Sequence, residues 1–567
     1  MNSLKRRWLL FFVSSLISAV PVLAAGRGGQ ELVKAGSWLY DAVTALALEC
    51  GQVNFADQAP LSIAELKLYV SEIDYSRLSI AGKAQYKRII AYFDEQNISL
   101  DSDIVSLGID PEINIEGYYK SNDDIAWVYD RYERRPLLST PFTLGVSDYV
   151  TLSTDIKLGE NKGQMAHNDN YSNVPIAPDE IDINFPDTGY LSTGYKFTDT
   201  TGVNFQLGMG AQDVGRSLSG SVITSRYMTG ASYANFEIFN PAIRYTMNVT
   251  QFNVDKYMYS HRLDMRFFKK LSFSVQESML VYHPLELRFL NPLTIYHGMS
   301  PWRDYGEDES NTCAYLALKA SFALTDCVRL YGMYAMNQFQ TAYEQSNWPD
   351  DTTPNSIGAQ LGIESYIPFK EGYFHLWLEG YYATPYLYIK ENPAWSLVRT
   401  YAENIGDMAV FYEWVGSPFG PDTMSGELNL GYEVPGRWSL NASYLLMARG
   451  EYSGTSVFSA TDWGGTKTDE SDITTGDWVY PSSDIYPDGQ GKEEAKRRQK
   501  LSTPSGTAEY VNRIALRGSY SPFDYLTLTV QPAYVFIFNR DHVKGKSDQG
   551  VEFTVAASLR LARMFKP

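Results

Sequence analysis

Two groups of residues in this 567-residue chain have types and spacings that could do chemistry. The first is acid–base. Six histidines occur, His167, His261, His283, His297, His375 and His542. His283 and His297 flank the segment 283–311, which also holds Asp304, Glu307, Asp308 and Glu309. An imidazole within reach of a carboxylate is a common general-base arrangement. Against it, no two histidines stand at i,i+4 and no Cys/His group has zinc spacing. No G-x-S-x-G elbow occurs, and the acidic run lacks the spacing of an EF-hand calcium loop. A solvated acidic loop is the plainer reading. The expectation is therefore no enzyme, no cofactor and no metal.

The second group is suited to binding. Trp302, Tyr305, Trp348, Trp395, Trp414, Trp463, Trp478 and Tyr480 fall in long segments between regular elements. The C–H face of a sugar stacks on such rings, and carboxamides or carboxylates take its hydroxyls. The same rings could instead pack loops together or sit at a membrane interface. "GKEEAKRRQK" then places Lys492, Lys496, Arg497, Arg498 and Lys500 in one short basic run. Such a run suits an anionic glycan or lipid headgroup, or is simply solvated. Trp302, Tyr305, Trp463, Trp478, Arg497 and Arg498 are the candidate glycan-binding residues.

The elements that must position these residues are mostly strands. "CAYLALKASFAL", Cys313 to Leu324, is rich in good helix formers. Its alternation is nevertheless strict. Ala314, Leu316, Leu318, Ala320, Phe322 and Leu324 share one face, and Cys313, Tyr315, Ala317, Lys319, Ser321 and Ala323 share the other. "GVNFQLGMGAQ" sets Val203, Phe205 and Leu207 against Asn204 and Gln206, and "AIRYTMNVT" sets Ile243, Tyr245 and Met247 against Arg244, Thr246 and Asn248. In "GELNLGYEVPGRWSLNASYLL", Leu428, Leu430, Tyr432 and Val434 share a face ahead of a turn at Pro435-Gly436. About 18 such stretches run from 112–120 to 549–565. Most have the length of a tilted strand crossing a bilayer, about 9–11 residues.

The connections alternate. Short turns near 148, 200, 240, 269, 325, 369, 435 and 522 are interleaved with long segments such as 159–190, 213–231, 283–311, 385–424 and 451–510. Outer-membrane barrels have short periplasmic turns and longer extracellular loops. A soluble sandwich gives no reason for that alternation. The apolar face then meets lipid and the polar face a wet interior.

Ahead of the strands, residues 26–105 read as about three helices. One opens with Ser62 and Glu65 at capping-box spacing, and another starts at Ser79. The chain begins "MNSLKRRWLLFFVSSLISAVPVLAAG", a charged n-region, an apolar h-region and a small-residue cleavage site, so 1–24 reads as a signal peptide. Its removal takes the formal net charge from −18 to −21, a poor surface for nucleic acid. Cys50, Cys313 and Cys327 are too few for a disulfide scaffold. A hairpin turning at Thr325-Asp326 sets Cys313 opposite Gln338, far from Cys327, so free thiols are expected.

At "ELRFLNPLTIYH", residues 286–297, a bulky run, an Asn-Pro step and an aromatic-His pair lead into a long loop. "RLYGMYAMNQFQ", residues 329–340, follows as a strand. Together they resemble the core of the Wzi-like capsule-assembly outer-membrane proteins. Leu330-Tyr331-Gly332 match that family's strand motif. Met333 stands where Gln is usual, and Asn337-Gln338-Phe339 replace an acidic-aromatic pair. "SWLYDAVTALALE" and "PLSIAEL" are similar to the helical segment ahead of the family's barrel. Phe565 sits near the C-terminus, where such barrels usually finish on an aromatic. The resemblance implies an 18-stranded barrel at 112–567, a periplasmic helical domain at 26–105, and a surface role in binding or organising polysaccharide. Surface polysaccharide, outer-membrane lipid and the barrel-insertion machinery are the expected partners. A porin or solute channel is the alternative.

Overall fold

The structure, a computed structural model, describes residues 27–564 apart from 95–97, 102–104, 126–133, 160–171, 176–182, 185–187, 300–311, 350, 391–395, 406, 452–495 and 498. The stretch read as a signal peptide lies outside the described residues.

Eighteen antiparallel strands form one closed barrel. They are β1 (Glu112–Lys120), β2 (Leu138–Val146), β3 (Val150–Leu158), β4 (Gly189–Lys196), β5 (Gly202–Met209) and β6 (Ser232–Phe239). Then come β7 (Ile243–Asn253), β8 (Lys256–Phe267), β9 (Leu271–Tyr282), β10 (Thr312–Ala323), β11 (Val328–Gln338) and β12 (Ser356–Phe369). The last six are β13 (Gly372–Ala383), β14 (Thr423–Val434), β15 (Trp438–Arg449), β16 (Glu509–Phe523), β17 (Leu526–Phe538) and β18 (Ser547–Arg560). β18 closes on β1, from Glu552↔Lys120 to Arg560↔Glu112. Closure leaves no unpaired edge, the condition a sheet must meet in hydrocarbon.

The alternation decides which face is which. On β10, Cys313, Tyr315, Ala317, Lys319, Ser321 and Ala323 are buried inside the barrel, while Phe322 is exposed outside. Val434 keeps the register of the outward face, opposite Trp438, but is buried at the short-turn end of β14. The hairpin of β10 and β11 also pairs one residue differently from the expectation. Ala323 lies opposite Arg329, because the turn spans 324–327 with Leu324 N–H donating to Val328 O at 2.9 Å. The three cysteines are free thiols, with Cys50 and Cys313 buried.

Short connections lie at one end of the barrel and long ones at the other, with 254–255 the exception. The tight turn at Pro435-Gly436 needs the left-handed backbone that Gly436 adopts, at φ +71°.

Before the barrel come α1 (Trp38–Glu49), α2 (Ile63–Ser71) and α3 (Ile80–Phe93). Ser37, Ser62 and Ser79 cap them by accepting from Leu39, Glu65 and Gly82 N–H. Leu39, Leu46, Phe55, Leu66, Tyr69, Ile89 and Phe93 form their shared core. Two expectations fail here. The capping box at Ser62 is only half made, since the Glu65 side chain turns away to Tyr69 and Arg244. Residues 98–101, at the end of the stretch read as helical, form a strand, and the strand 105–109 that follows extends the sheet along β2 from Val105↔Val146 to Ile109↔Phe142.

The helices sit at the short-turn end. Val53 N–H donates to Lys269 O at 2.9 Å, and Arg77 pairs with Asp326 at 3.3 Å. The barrel interior is not the wet channel that the alternation suggests. It is filled by protein from both ends.

Candidate functional site

The inward side chains of the wall are charged because the helical segment brings the opposite charge to them. Arg244 on β7 lies 3.0 Å from Glu65 of α2 and also pairs with Glu237 on β6. Lys319 on β10 lies 2.8 Å from Asp57 and 3.7 Å from Asp264 on β8. Arg266 on β8 reaches Glu72 at 2.7 Å, and Tyr373 on β13 donates to Glu49 at 2.7 Å. Asn204 on β5 donates to Gln30 at 2.9 Å. A buried ion must be paired and hydrogen-bonded to be tolerated; each of these ions has an opposite charge beside it, while Arg244 Nε and Nη1 and Glu65 Oε2 make no hydrogen bond among the described residues. Between the helical segment and the wall lies a polar cavity of about 40 Å³, lined by Gln58, Gln212, Asp213, Arg244, Arg262 and Gln276 among others. That is room for a few waters.

Burial pushes the Glu65 carboxyl up to about 8, with Arg244 opposing it. Asp213, in the connection 210–231, is pushed up to about 7 by the same cause.

That connection, between β5 and β6, enters the barrel from the long-connection end. Asp213–Val214 pairs with Gln58–Ala59, and Gly215 N–H donates to Asp57 O at 2.9 Å, so it meets the helical segment directly. It then crosses to the far wall. Arg216 ion-pairs with Glu364 on β12. Ser219 N–H donates to Glu379 on β13 at 2.8 Å, and Val222 N–H to Gln360 on β12 at 2.6 Å.

The connection 384–422 also folds inward. Tyr388 OH donates to Val222 O at 2.6 Å, and Ser225 N–H donates to Val415 O at 2.8 Å, joining the two connections. Val222, Leu387, Ile389, Leu397 and Val415 pack with wall residues Tyr315, Trp377 and Tyr381 into an apolar core inside the barrel. Trp414, read as a loop ring, is buried in that core.

At the long-connection end, the segment 339–355 carries a short helix, Ala342–Asn347, with a complete capping box between Thr341 and Glu344. It holds Tyr343 and Trp348 out in solvent, 72% and 59% exposed. Gln499 donates to Thr353 O at 2.8 Å, which ties the end of the basic run to this segment. Arg497, two residues before it, is exposed. The structure thus joins part of the basic run to the connection that carries Trp348, a pairing the sequence does not show. Tyr343 and Gln499 were missed, because a tyrosine in a short polar helix carries no periodic signal. Trp302, Tyr305, Trp463, Trp478 and Arg498 lie outside the described residues, as do Asp304, Glu307, Asp308 and Glu309. Among the described residues the two histidines meet different acids: the His297 backbone N–H donates to Glu277 at 2.8 Å, and the His283 ring lies 3.4 Å from Glu286.

No family model and no curated protein matches the chain by sequence. Among solved structures, the chain is similar in fold to Wzi of Escherichia coli, described as an outer-membrane protein involved in group 1 capsule assembly and a carbohydrate-binding β-barrel. The match has a TM-score of 0.54 at 11% identity and covers 93% of this chain and 98% of that one. OprD of Pseudomonas aeruginosa matches at TM-score 0.38 and 9% identity, over 80% of this chain and 95% of that one. The fold is that of an outer-membrane barrel.

Proposed function

We propose that the chain is an outer-membrane barrel closed to solutes, which holds surface polysaccharide at its long-connection end and catalyses no reaction. The observation that carries this reading is the filled interior. Protein enters from both ends and meets at Gly215 and Asp57, so the surface left for function is the long-connection end. That end presents Tyr343, Trp348 and Arg497. Two rings and a cation suit the C–H faces and acid groups of an anionic glycan. The likeness to a carbohydrate-binding barrel points the same way. In this reading the long connections are extracellular, the helical segment is periplasmic, and the remaining partners are outer-membrane lipid and the barrel-insertion machinery.

The test is binding of the purified protein to immobilised acidic polysaccharide. Stacking on one ring is worth roughly 1–3 kcal/mol for a nucleobase, and a sugar face gives less, so Tyr343→Ala with Trp348→Ala is expected to weaken binding about tenfold. The pairs Trp302/Tyr305 and Trp463/Trp478, changed in the same way, rank the other candidate rings. Binding unchanged by all three double variants defeats the proposal.

A further inference from the structure

The wall interrupts its apolar outward face with an ion pair. On the outward face of β8 and β9, where lipid-facing side chains belong, stand His261 and Glu277, paired at 2.8 Å. Tyr245 on β7 and Tyr259 on β8 also point outward, with their hydroxyls. Glu277 is the seventh of the twelve residues of β9, so this is no rim position.

The residues 283–297, which follow β9, explain the exception. They double back over the outside of the wall. Tyr259 OH accepts from Glu286 N–H at 2.8 Å, Glu277 accepts from His297 N–H at 2.8 Å, and Tyr245 OH donates to Pro292 O at 2.9 Å. Tyr245 is the third residue of β7 from the short-turn end. Phe289 stacks on Tyr259 at 5.0 Å between centroids, and Tyr296 lies over His261 at 4.6 Å. Met279 and Val281, outward on β9, are fully buried beneath the segment.

Its free side is mainly apolar, although His283, Asn291 and His297 are also exposed. Leu285, Leu287, Leu293 and Ile295 are exposed, Leu293 at 91%. On the adjoining wall, Leu263, opposite Tyr245, and Ile243, two residues from it, are exposed as well. Irregular backbone is tolerated at membrane depth only where its polar groups are satisfied by protein. Here the segment satisfies itself in part, with Tyr296 OH on Phe289 O at 3.0 Å and Thr294 N–H on Asn291 O at 3.2 Å. Pro284 and Pro292 have no N–H to satisfy. The outward polar groups of the wall supply other partners.

We propose that residues 283–297 form a strap lying within the bilayer on the outside of the barrel, contacting lipid acyl chains through Leu285, Leu287, Leu293 and Ile295 and anchored by Tyr245, Tyr259 and Glu277. This rests on the membrane reading above. The acid–base look of His297 and its neighbours in the sequence is then an anchoring arrangement.

The test uses the full chain with Cys50→Ala, Cys313→Ala and Cys327→Ser. Single cysteines are placed at Leu293→Cys on the strap, Leu263→Cys on the wall and Val254→Cys in the exposed turn after β7. Each is labelled with bimane and reconstituted in phosphatidylcholine vesicles with or without an acyl-chain doxyl group. Position 293 is expected to be quenched like 263. Unlabelled, it should react with a membrane-impermeant maleimide roughly tenfold more slowly than 254. If 263 is quenched and 293 is neither quenched nor reactive, protein covers the strap and the proposal falls. If 293 reacts as fast as 254, the strap lies in water and the proposal also falls. If 263 itself is not quenched, the membrane reading fails first. Adding Glu277→Leu should raise maleimide reactivity at 293 toward that of 254 while gel heat-modifiability is kept. Unchanged quenching at 293 in that variant overturns the anchoring role.

Discussion

Lys319 shows how a single residue type is made acceptable by what faces it. Lysine on the inward face of β10 is legible from alternation alone, but its partners are not. Asp57 arrives from a loop 262 residues earlier, and Asp264 from β8. Lys319→Met should leave Asp57 buried without its cation. Removing one partner of a buried pair costs roughly 3–5 kcal/mol, read as a lower urea midpoint for unfolding from lipid vesicles. Asp264 keeps Arg262 at 3.0 Å, which favours the lower figure. Glu65 carries the clearest pH dependence. Its folded value, about 8, lies above the ordinary carboxylate value of 4.5, so the folded state holds the proton more tightly. Stability from this group is present below about pH 4.5 and is lost as pH rises toward about 8. Asp213, raised to about 7, acts in the same direction. Glu65→Gln should therefore flatten the fall in stability between pH 5 and 8, an effect on the order of a few kcal/mol at most. Urea midpoints followed by helical circular dichroism at the two pH values check it. A wild-type midpoint that rises with pH contradicts the assignment.

At the scale of the element, strands were legible and the paths of their connections were not. Every strand of the barrel stands where period-two alternation placed one, because a wall between two media imposes that period on each strand separately. The consequence is a sharp contrast between neighbours. Leu430, outward on β14, changed to Arg should cost roughly 2–4 kcal/mol if near the bilayer midplane, whereas Asn429→Arg should cost much less. Vesicle refolding titrations of the two variants measure the difference, and equal costs would overturn the facing of β14. Connections carry no such period. The segments 210–231 and 283–297 both follow a strand at the long-connection end, yet one turns into the lumen and the other over the outer wall. What separates them is their distant partners, Glu379 and Gln360 inside, Glu277 and Tyr259 outside. Those pairings are set by the closed barrel and by no local pattern. The same holds for Glu65, whose spacing from Ser62 promised a capping box until Arg244 and Tyr69 offered its carboxylate a buried site. Of the binding residues, aromatic content alone could not separate Trp414, which fills the lumen, from Trp348, which faces water.

For the whole molecule, the two fillings of the lumen are in series. The helical segment occupies the short-turn end and has its own apolar core, while the connections 210–231 and 384–422 build a second core with the wall nearer the other end. They touch at Gly215 and Asp57, and through the pairing of Asp213–Val214 with Gln58–Ala59. An ion path needs both to be interrupted. The full chain in a planar bilayer is therefore expected to show no steady conductance. Deleting residues 27–94 alone should leave it nearly silent, because Val222, Leu387, Leu397 and Val415 still block the bore. Replacing both 215–226 and 386–416 with short Gly-Ser linkers should do little by itself, since Glu65, Asp57 and Glu72 remain docked on Arg244, Lys319 and Arg266. Combining the two changes should open a conductance far larger than the sum of the single effects. Single-channel recording of the four proteins reads this directly. A steady open current from the unaltered chain would restore the channel alternative. A current from the first deletion alone would mean that the inner core of the connections depends on the helical segment for its packing.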